Sequence, residues 1–348
     1  MRPTLFVTGH VPANRVGAFE RLHELAPIEL ALYGGPHQHG APPGAPPAVP
    51  HRLVSQREVG RLVASGDHRA VIVGTGGRIA LPAAWRAARA SATPFIFWAA
   101  LWRTPRTAAH LAALPLMRRI YREAAVVVTY GEHVSAYVRS HGATRVIVAR
   151  QAVDNAFWSA PAAPRSDPRF AALFVGRGAR EKGLTVALEA WRAAAIDGTF
   201  TVAGEHGPLP AGVVDAGVAD PVRLRNFYAA CDVLVVPSIA SRRFIEPWGL
   251  VVNEAMNQAT AIIASSAVGA AAGGLVRDGR NGLVVPAGDA GALARALTAL
   301  AGDRERCAAL GAAGREDVGA YTHDAWARAF ADAIERAATA ESIGSVEP

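Results

Sequence analysis

Two cations lie close together in the stretch GRGAREKGL, which follows a short apolar run and precedes a helical pattern. One of them, Lys182, is the only lysine among the 36 Lys and Arg residues of the chain, and the other is Arg177. Open α/β sheets bind ligands on loops at the carboxyl ends of strands. Two cations beside a helix N-terminus suit a diphosphate, and a compact ammonium can follow a phosphate oxygen that moves. The alternative is that Lys182 is a solvated loop residue.

Two carboxylates, Glu246 and Glu254, lie in the stretch EPWGLVVNEAMNQA. Trp248 precedes a helix that is predicted to begin near Gly249, so the first N–H groups of this helix would be able to bind an anion. Glu254, inside the helix, could accept hydrogen bonds from a ribose, and Glu246, on the preceding loop, from sugar hydroxyls. The alternative is two surface glutamates. The predicted anion-binding N–H groups are those of Gly249, Leu250 and Val251.

Short β-branched runs alternate with amphipathic segments along the whole chain, which predicts parallel sheets covered by helices on both faces. Residues 159–168 are rich in Pro, Ala and Ser and form the best linker. We therefore predict an α/β protein with two Rossmann-like domains, at 1–160 and 169–320, and a final helix within 321–348 that returns to the first domain. Predicted strands are 4–8, 29–32, 70–73, 94–98, 126–129, 146–149, 170–175, 200–203 and 233–236. Predicted helices are 16–25, 56–65, 132–141, 184–195, 224–231 and 324–338.

Four stretches together resemble the GT-B glycosyltransferases, and most closely the retaining family 4: GRGAREKG, YAACDVLVVPS, EPWGLVVNEAM and GGLVRDGRNGLVVPAGD. The resemblance implies two domains facing each other across a cleft, with a donor nucleotide held mostly by the second. It implies that Arg177 and Lys182 bind the donor diphosphate, Glu254 the ribose and Glu246 the donor sugar. The implied catalytic residues are Glu246, Arg177 and Lys182, and the implied donor-binding set adds Trp248, Gly249, Leu250, Val251 and Glu254.

The first domain matches that pattern less closely. Many members of the family carry a histidine or an acidic residue after the fourth or fifth strand, and Ala99 and Ala100 stand there in PFIFWAALWRTP. His10 or His110 could serve instead, or no side chain is needed, since an oxygen of the leaving phosphate could accept the proton. Trp98 is interpreted either as lining an acceptor site or as core. The first-domain candidates are Gly9, His10, Trp98 and Arg103.

The resemblance implies transfer of a sugar from a UDP- or GDP-linked donor to a hydroxyl acceptor, with retention at the anomeric carbon. The sequence contains no Asp-x-Asp motif. We therefore expect a metal-independent enzyme without a cofactor, in which two fixed cations replace the metal at the diphosphate. The alternative is a GT-B-shaped protein that binds sugar nucleotides with little turnover. The base, the sugar and the acceptor stay open.

Positive charge is concentrated in the first half of the chain: residues 1–165 hold 19 arginines and eight acidic residues. An anionic partner or a solvated arginine surface would explain this. The segment 102–122 could contact anionic lipid and present a lipid-linked acceptor, although Pro115 is expected to interrupt its helix. Nucleic acid is not expected, because no binding module is recognisable. With two cysteines, no signal peptide and no apolar run long enough to cross a membrane, a cytoplasmic location is expected, with the inner membrane face as an open alternative.

Overall fold

The computed structural model describes residues 2–34, 48–163 and 167–344, and the side chains up to residue 339. Residues 36–50 are rich in Pro and Gly, a composition that predicts an exposed loop. Most of this stretch, and part of the predicted linker, lie outside the described residues. The chain divides into two compact units. The first comprises Met1–Asp154 and Thr322–Pro348, and the second comprises Asn155–Tyr321.

A seven-stranded parallel sheet forms the centre of the first unit, in the order β3-β2-β1-β4-β5-β6-β7. Continuous apolar runs form its central strands, as expected for a sheet that is covered on both faces. Its strands are β1 (Thr4–Thr8), β2 (Ile28–Leu32), β3 (His51–Leu53), β4 (Ala70–Gly74), β5 (Phe95–Ala99), β6 (Val126–Thr129) and β7 (Val146–Val148). The helices between them are α1 (Val16–Leu25), α2 (Val59–Ala64), α3 (Ala80–Ala90), α4 (Ala108–Glu123) and α5 (Glu132–Ser140).

The second unit repeats this architecture around a six-stranded parallel sheet, in the order β10-β9-β8-β11-β12-β13. Its strands are β8 (Phe170–Val175), β9 (Gly198–Ala203), β10 (Val213–Gly217), β11 (Val233–Val236), β12 (Ala261–Ser265) and β13 (Gly282–Val285). Its helices are α6 (Asn155–Trp158), α7 (Leu184–Ala194), α8 (Pro221–Ala230), α9 (Val251–Asn257), α10 (Gly269–Ala272), α11 (Ala290–Gly302) and α12 (Arg304–Val318). The order reverses between β8 and β11, which makes the carboxyl ends of these two strands the topological switch point where such sheets bind ligands.

The last helix, α13 (His323–Gly344), packs on the sheet of the first unit. Trp326 and Phe330 have ring centroids 4.3 Å apart, and Phe330 lies 5.5 Å from Phe6 of β1. At the start of the helix, a Cβ on Gly17 of α1 would lie only 2.8 Å from Nδ1 of His323. Gly17 lies in α1, where its missing side chain lets α13 approach.

The unit boundary lies at Asp154, a few residues before the predicted boundary at 160, because α6 packs against the second unit. Asn257 of α9 donates to Oδ1 of Asn155 at 3.0 Å. The ring of Trp158 is 5.8 Å from that of Tyr228 in α8. These contacts, rather than the Pro-rich composition that follows them, determine where the second unit begins.

Candidate functional site

The lysine and one glutamate of the predicted site meet at the switch point of the second sheet. Lys182 follows β8, and Glu246 lies on the long loop that follows β11. Nζ of Lys182 is 2.5 Å from Oε2 of Glu246, and the two side chains are 26% and 9% exposed. The pair is therefore largely shielded from water, where attraction between opposite charges is stronger than at an open surface.

Two close backbone approaches hold the loops after β8 and β11 together. Gly183 ends the turn that carries Lys182 with φ at 73°, in the left-handed region. A Cβ there would lie 2.0 Å from the carbonyl oxygen of Pro237, so only glycine fits. The N–H of Ile239 donates to the carbonyl of Glu181 at 2.9 Å. Lys182 is thus carried on a turn that is itself attached to the loop after β11.

Glu246 is held by a second tight contact, at the start of α10. The N–H of Gly269 donates to the carbonyl of Glu246 at 3.1 Å. A Cβ on Gly269 would lie 1.9 Å from the carbonyl oxygen of Pro247, so no larger residue fits without moving this loop. Trp248, predicted to bind the donor, has its indole in the core: it is 2% exposed, and its Nε1 donates to Asn253 at 2.8 Å. We therefore assign the Trp248 side chain a packing role.

The helix predicted to begin near Gly249 begins two residues later, at Val251. The reason is the backbone of Gly249, whose φ of 94° lies outside the right-handed helical region. The N–H of Val252 already donates to the carbonyl of Gly249 at 3.0 Å. Within the described part of the chain, the N–H groups of Gly249, Leu250 and Val251 donate to no protein acceptor.

Glu254 is the fourth residue of α9 and is only 7% exposed. The hydroxyl of Tyr228, on α8, donates to its Oε2 at 2.7 Å. Burial raises the pKa of Glu254 to about 7, and the hydrogen bond from Tyr228 opposes that rise. Burial also raises the pKa of Tyr228 well above its usual value, so its hydroxyl keeps its proton at neutral pH. Tyr228 lies within a motif that carries the resemblance, but nothing in the sequence assigns it a role.

Arg177 is exposed on the loop after β8, in contrast to the shielded Lys182. Among the residues that the structure describes, it forms no ion pair or side-chain hydrogen bond. The adjoining glycine, Gly178, donates its N–H to the carbonyl of Glu205 at 2.6 Å, which ties this loop to the one after β9. The site on the second unit thus has one paired cation and one that is open to solvent.

The residues predicted in the first unit differ in burial. The side chain of Trp98 is buried in the core, with ring centroids 5.7 Å from Phe6 and 5.6 Å from Phe330, so the core interpretation applies. Gly9 accepts a hydrogen bond from the N–H of Gly34 at 2.7 Å. His10 and Arg103 are both half-buried.

Arg15 is a further cation of the first unit, and the sequence analysis did not single it out. The guanidinium of Arg15 lies 4.9 Å from the ring of Trp98 and 5.6 Å from that of Tyr130. It also donates to the side chain of Gln151. No sequence signal distinguishes Arg15 from the other arginines, since its partners come from distant parts of the chain.

The helix expected to be interrupted at Pro115 is continuous: α4 runs for 16 residues through it. Pro115 is exposed, whereas Ile120 and Tyr121 are buried and hold the second half of the helix against the sheet. Leu111, 53% exposed, and Arg118 follow the spacing that places residues on one helical face with Pro115. No helix among the described residues combines the length and hydropathy needed to cross a bilayer.

Comparisons with known proteins agree with this architecture. The structure of Anabaena HepE in complex with UDP and glucose is similar over 99% of this chain and 100% of its own, with a TM-score of 0.72 and 15% sequence identity. Sucrose-phosphate synthase from Thermosynechococcus elongatus is similar over the whole of both chains, with a TM-score of 0.71 and 18% identity. The protein therefore has the GT-B fold, as predicted, with two Rossmann-like domains.

The sequence profile of the family Glycosyl transferases group 1 matches residues 169–303. A D-inositol 3-phosphate glycosyltransferase of Catenulispora acidiphila is 35% identical over 117 residues, which are 34% of this chain and 26% of the relative. One from Nocardia farcinica is 38% identical over 91 residues, which are 26% of this chain and 19% of the relative. The matched stretches thus span about a quarter or less of these relatives. Residues 169–303 of the second unit thus match the group 1 glycosyltransferase profile, and the predicted resemblance is confirmed at that level.

Proposed function

We propose that this protein is a family 4 glycosyltransferase that moves a sugar from a nucleoside diphosphate sugar to an acceptor hydroxyl, with retention at the anomeric carbon. The observation that carries the proposal is the contact of 2.5 Å between Lys182 and Glu246 at the switch point. A diphosphate needs a cation, and a hexose needs a hydrogen-bond acceptor beside it. This pair offers both, on two loops that the sheet order brings together.

In the proposed reaction, the bond between the anomeric carbon and the diphosphate oxygen breaks while the acceptor oxygen bonds to the same carbon. Negative charge grows on the leaving diphosphate, and Lys182 stabilises it together with Arg177. The acceptor proton passes to an oxygen of the leaving phosphate. No side-chain base is then needed where Ala99 and Ala100 stand. We propose that no metal is needed either, because the two cations lie on the same loop after β8.

UDP is the first nucleotide to test, and GDP the second. The similar Anabaena structures were solved with UDP, with UDP and glucose and with UDP-glucose. In the proposed complex Glu254 binds the pentose, since its carboxylate lies on the helix that directly follows the loop of Glu246. Neither argument selects the sugar.

We propose that the acceptor is presented at an anionic membrane, on the cytoplasmic side. Leu111 and Arg118 lie on one exposed face of α4, so an apolar contact and a cation would reach a bilayer together. Co-sedimentation with vesicles of phosphatidylglycerol should be lost at high salt and weakened by the double variant Leu111→Ser, Arg118→Ser. If the protein does not bind anionic vesicles at low salt, this part of the proposal is wrong.

The alternative is a protein that binds sugar nucleotides without turning them over, and Ala99 and Ala100 favour it. A thermal-shift screen of UDP- and GDP-sugars tests binding, which both hypotheses predict. Release of UDP from the stabilising donor, measured with a mixture of candidate acceptors, separates them. Slow hydrolysis of the donor that is lost in Glu246→Ala would support the enzyme. If both the wild type and Glu246→Ala bind the donor and neither consumes it, the binding protein is supported. If no nucleotide stabilises the protein, both hypotheses are overturned.

A further inference from the structure

We infer that Tyr228 is a positioning residue of the donor site: its hydroxyl fixes one oxygen of the Glu254 carboxylate and leaves the other, Oε1, to receive a pentose hydroxyl. The inference rests on the proposed function, because it needs a nucleotide whose pentose reaches Glu254. It goes beyond that function by dividing the two carboxylate oxygens between the protein and the ligand.

The position of Tyr228 is fixed from several sides. The residue is fully buried, and its ring lies 5.8 Å from that of Trp158 in an edge-to-face arrangement. Its carbonyl accepts a hydrogen bond from the hydroxyl of Thr260 at 2.7 Å. A hydroxyl that donates at 2.7 Å from so constrained a ring holds Oε2 of Glu254 in one orientation.

The second oxygen of Glu254 is in a different situation. Among the described residues, Oε1 has no hydrogen-bond partner. This oxygen is not completely buried and keeps some contact with solvent. A carboxylate oxygen of this kind can accept a hydrogen bond from a ligand hydroxyl, whereas Oε2 is already engaged.

Among the described residues, Tyr228 is the ionisable side chain that forms a hydrogen bond with Glu254. Neither α6, β11 nor β12, which pack around α9, contains an ionisable residue, and α9 itself contains only Glu254. The helix α12 approaches α9 at Gly314, where a Cβ would lie 3.2 Å from the side chain of Met256. The other charged residues of α8 are directed at aromatic rings, with Arg223 over Phe227 and Arg225 over Phe157. The thiol of Cys231 donates to the carbonyl of Tyr228 at 3.3 Å.

This arrangement links nucleotide binding to pH. Burial raises the pKa of Glu254 to about 7, so the carboxyl is partly protonated at neutral pH. The ionised form accepts hydrogen bonds better, so affinity for a pentose diol should rise as the pH increases through 7. Removing the Tyr228 hydroxyl removes a hydrogen bond to the charged form, and the midpoint should move up by about one pH unit.

The experiment measures the dissociation constant of UDP between pH 6 and pH 8.5 for the wild type, Tyr228→Phe, Glu254→Gln and a control, Tyr121→Phe. Tyr121 is also buried, but lies in the other unit. The analogue 2′,3′-dideoxy-UDP is measured in parallel. The base and the diphosphate titrate alike in the two ligands, so the ratio of their dissociation constants reports the contribution of the pentose hydroxyls alone. The melting temperature of each variant checks that it is folded.

We expect the ratio of the two dissociation constants to change with pH in the wild type, with a midpoint near 7. The midpoint should rise in Tyr228→Phe, stay unchanged in Tyr121→Phe and disappear in Glu254→Gln. If UDP binds but the midpoint of this ratio is the same in Tyr228→Phe as in the wild type, the inference is overturned and the proposed function still stands. If Tyr228→Phe does not fold, a pH-dependent ratio that persists in Glu254→Gln overturns it equally. If the wild type fails to bind UDP, GDP or their sugars, both fail.

Discussion

Lys182 and Glu246 form an ion pair in which Nζ lies 2.5 Å from Oε2, although 63 residues separate them in the chain. The pair joins the loops after β8 and β11 through the two side chains proposed to act on the donor. Preassembly of this kind lowers the entropic cost of binding, because neither long side chain has to be ordered by the ligand. A diphosphate that arrives would share the ammonium with the carboxylate.

Replacing the lysine should weaken nucleotide binding selectively. In Lys182→Ala, the diphosphate loses a shielded cation and Glu246 loses its partner. We expect the dissociation constant for UDP to increase about 10- to 100-fold, since a hydrogen bond to a charged group contributes about 1.5–3 kcal/mol. Isothermal titration calorimetry would measure it. Arg180→Ala is the matched control, as Arg180 is an exposed cation on the same turn. Equal losses in the two variants would mean that only general positive charge matters.

Neutralising the glutamate should separate nucleotide binding from sugar transfer. Glu246→Gln removes the negative charge that competes for Lys182, so we expect affinity for UDP to be unchanged or higher. Turnover of the UDP-sugar should fall about a hundredfold, because the donor sugar loses a charged hydrogen-bond acceptor in the transition state. Steady-state kinetics and UDP titration on the same preparation test this. Glu205→Gln, at an exposed glutamate after β9, should change neither quantity. A parallel loss of UDP affinity in Glu246→Gln would contradict the prediction.

The backbone contact beneath Glu246 can be tested at Gly269. A Cβ at this position would lie 1.9 Å from the carbonyl of Pro247, so Gly269→Ala must displace the loop that carries Glu246. We expect transfer activity to fall at least about tenfold while the fold is kept, as small misplacements of a reacting group are costly. Circular dichroism and activity assays measure the two effects. Gly302→Ala has no atom within 4 Å of the new Cβ and should behave like the wild type.

The buried carboxyl of Glu254 should make stability depend on pH. Its pKa is about 7 in the folded protein and 4.5 in an exposed carboxyl. Because the folded value is the higher one, its contribution to stability is fully present below pH 4.5 and is lost as the pH rises through 7. The loss is on the order of 3.5 kcal/mol, at about 1.4 kcal/mol per pH unit.

Glu254→Gln lacks this titration. Its melting temperature relative to the wild type should therefore increase by several degrees between pH 5 and pH 8, which differential scanning fluorimetry can follow. Glu189→Gln, at an exposed position of α7, should track the wild type at every pH. If the difference in melting temperature between Glu254→Gln and the wild type is the same at every pH, folding does not raise the pKa of Glu254 and the prediction is wrong.

Much of the fold could be predicted from the sequence, because a buried parallel strand leaves a continuous apolar run. The strands Thr4–Thr8, Val126–Thr129, Phe170–Val175 and Val233–Val236 have the predicted bounds. The edge strand His51–Leu53 was not predicted: all three residues are exposed, so burial imposes no apolar pattern on them. The start of α9 was placed too early because the left-handed φ of Gly249 depends on its surroundings, and sequence spacing does not reveal it.

The sequence predicted which residues belong to the site, but it did not predict the contacts between them. Lys182 and Glu246 were both expected at the donor, but their ion pair depends on β8 lying beside β11, which the sequence order of the strands does not state. The hydrogen bond from Tyr228 to Glu254 likewise depends on how α8 packs against α9. Trp98 could not be assigned to core or surface, because the helix that covers it, α13, follows more than 200 residues later.

The return of α13 to the first unit has a consequence for biosynthesis. Trp326 and Phe330 complete the apolar layer over β1 and β5, so the part of this face that α1 does not cover stays exposed until α13 has been synthesised. The second unit is a single uninterrupted stretch and can fold as soon as it emerges. Although domains usually mature from the N-terminus onwards, here the later-made unit is the first able to finish, and chaperones would be needed mainly by the earlier one.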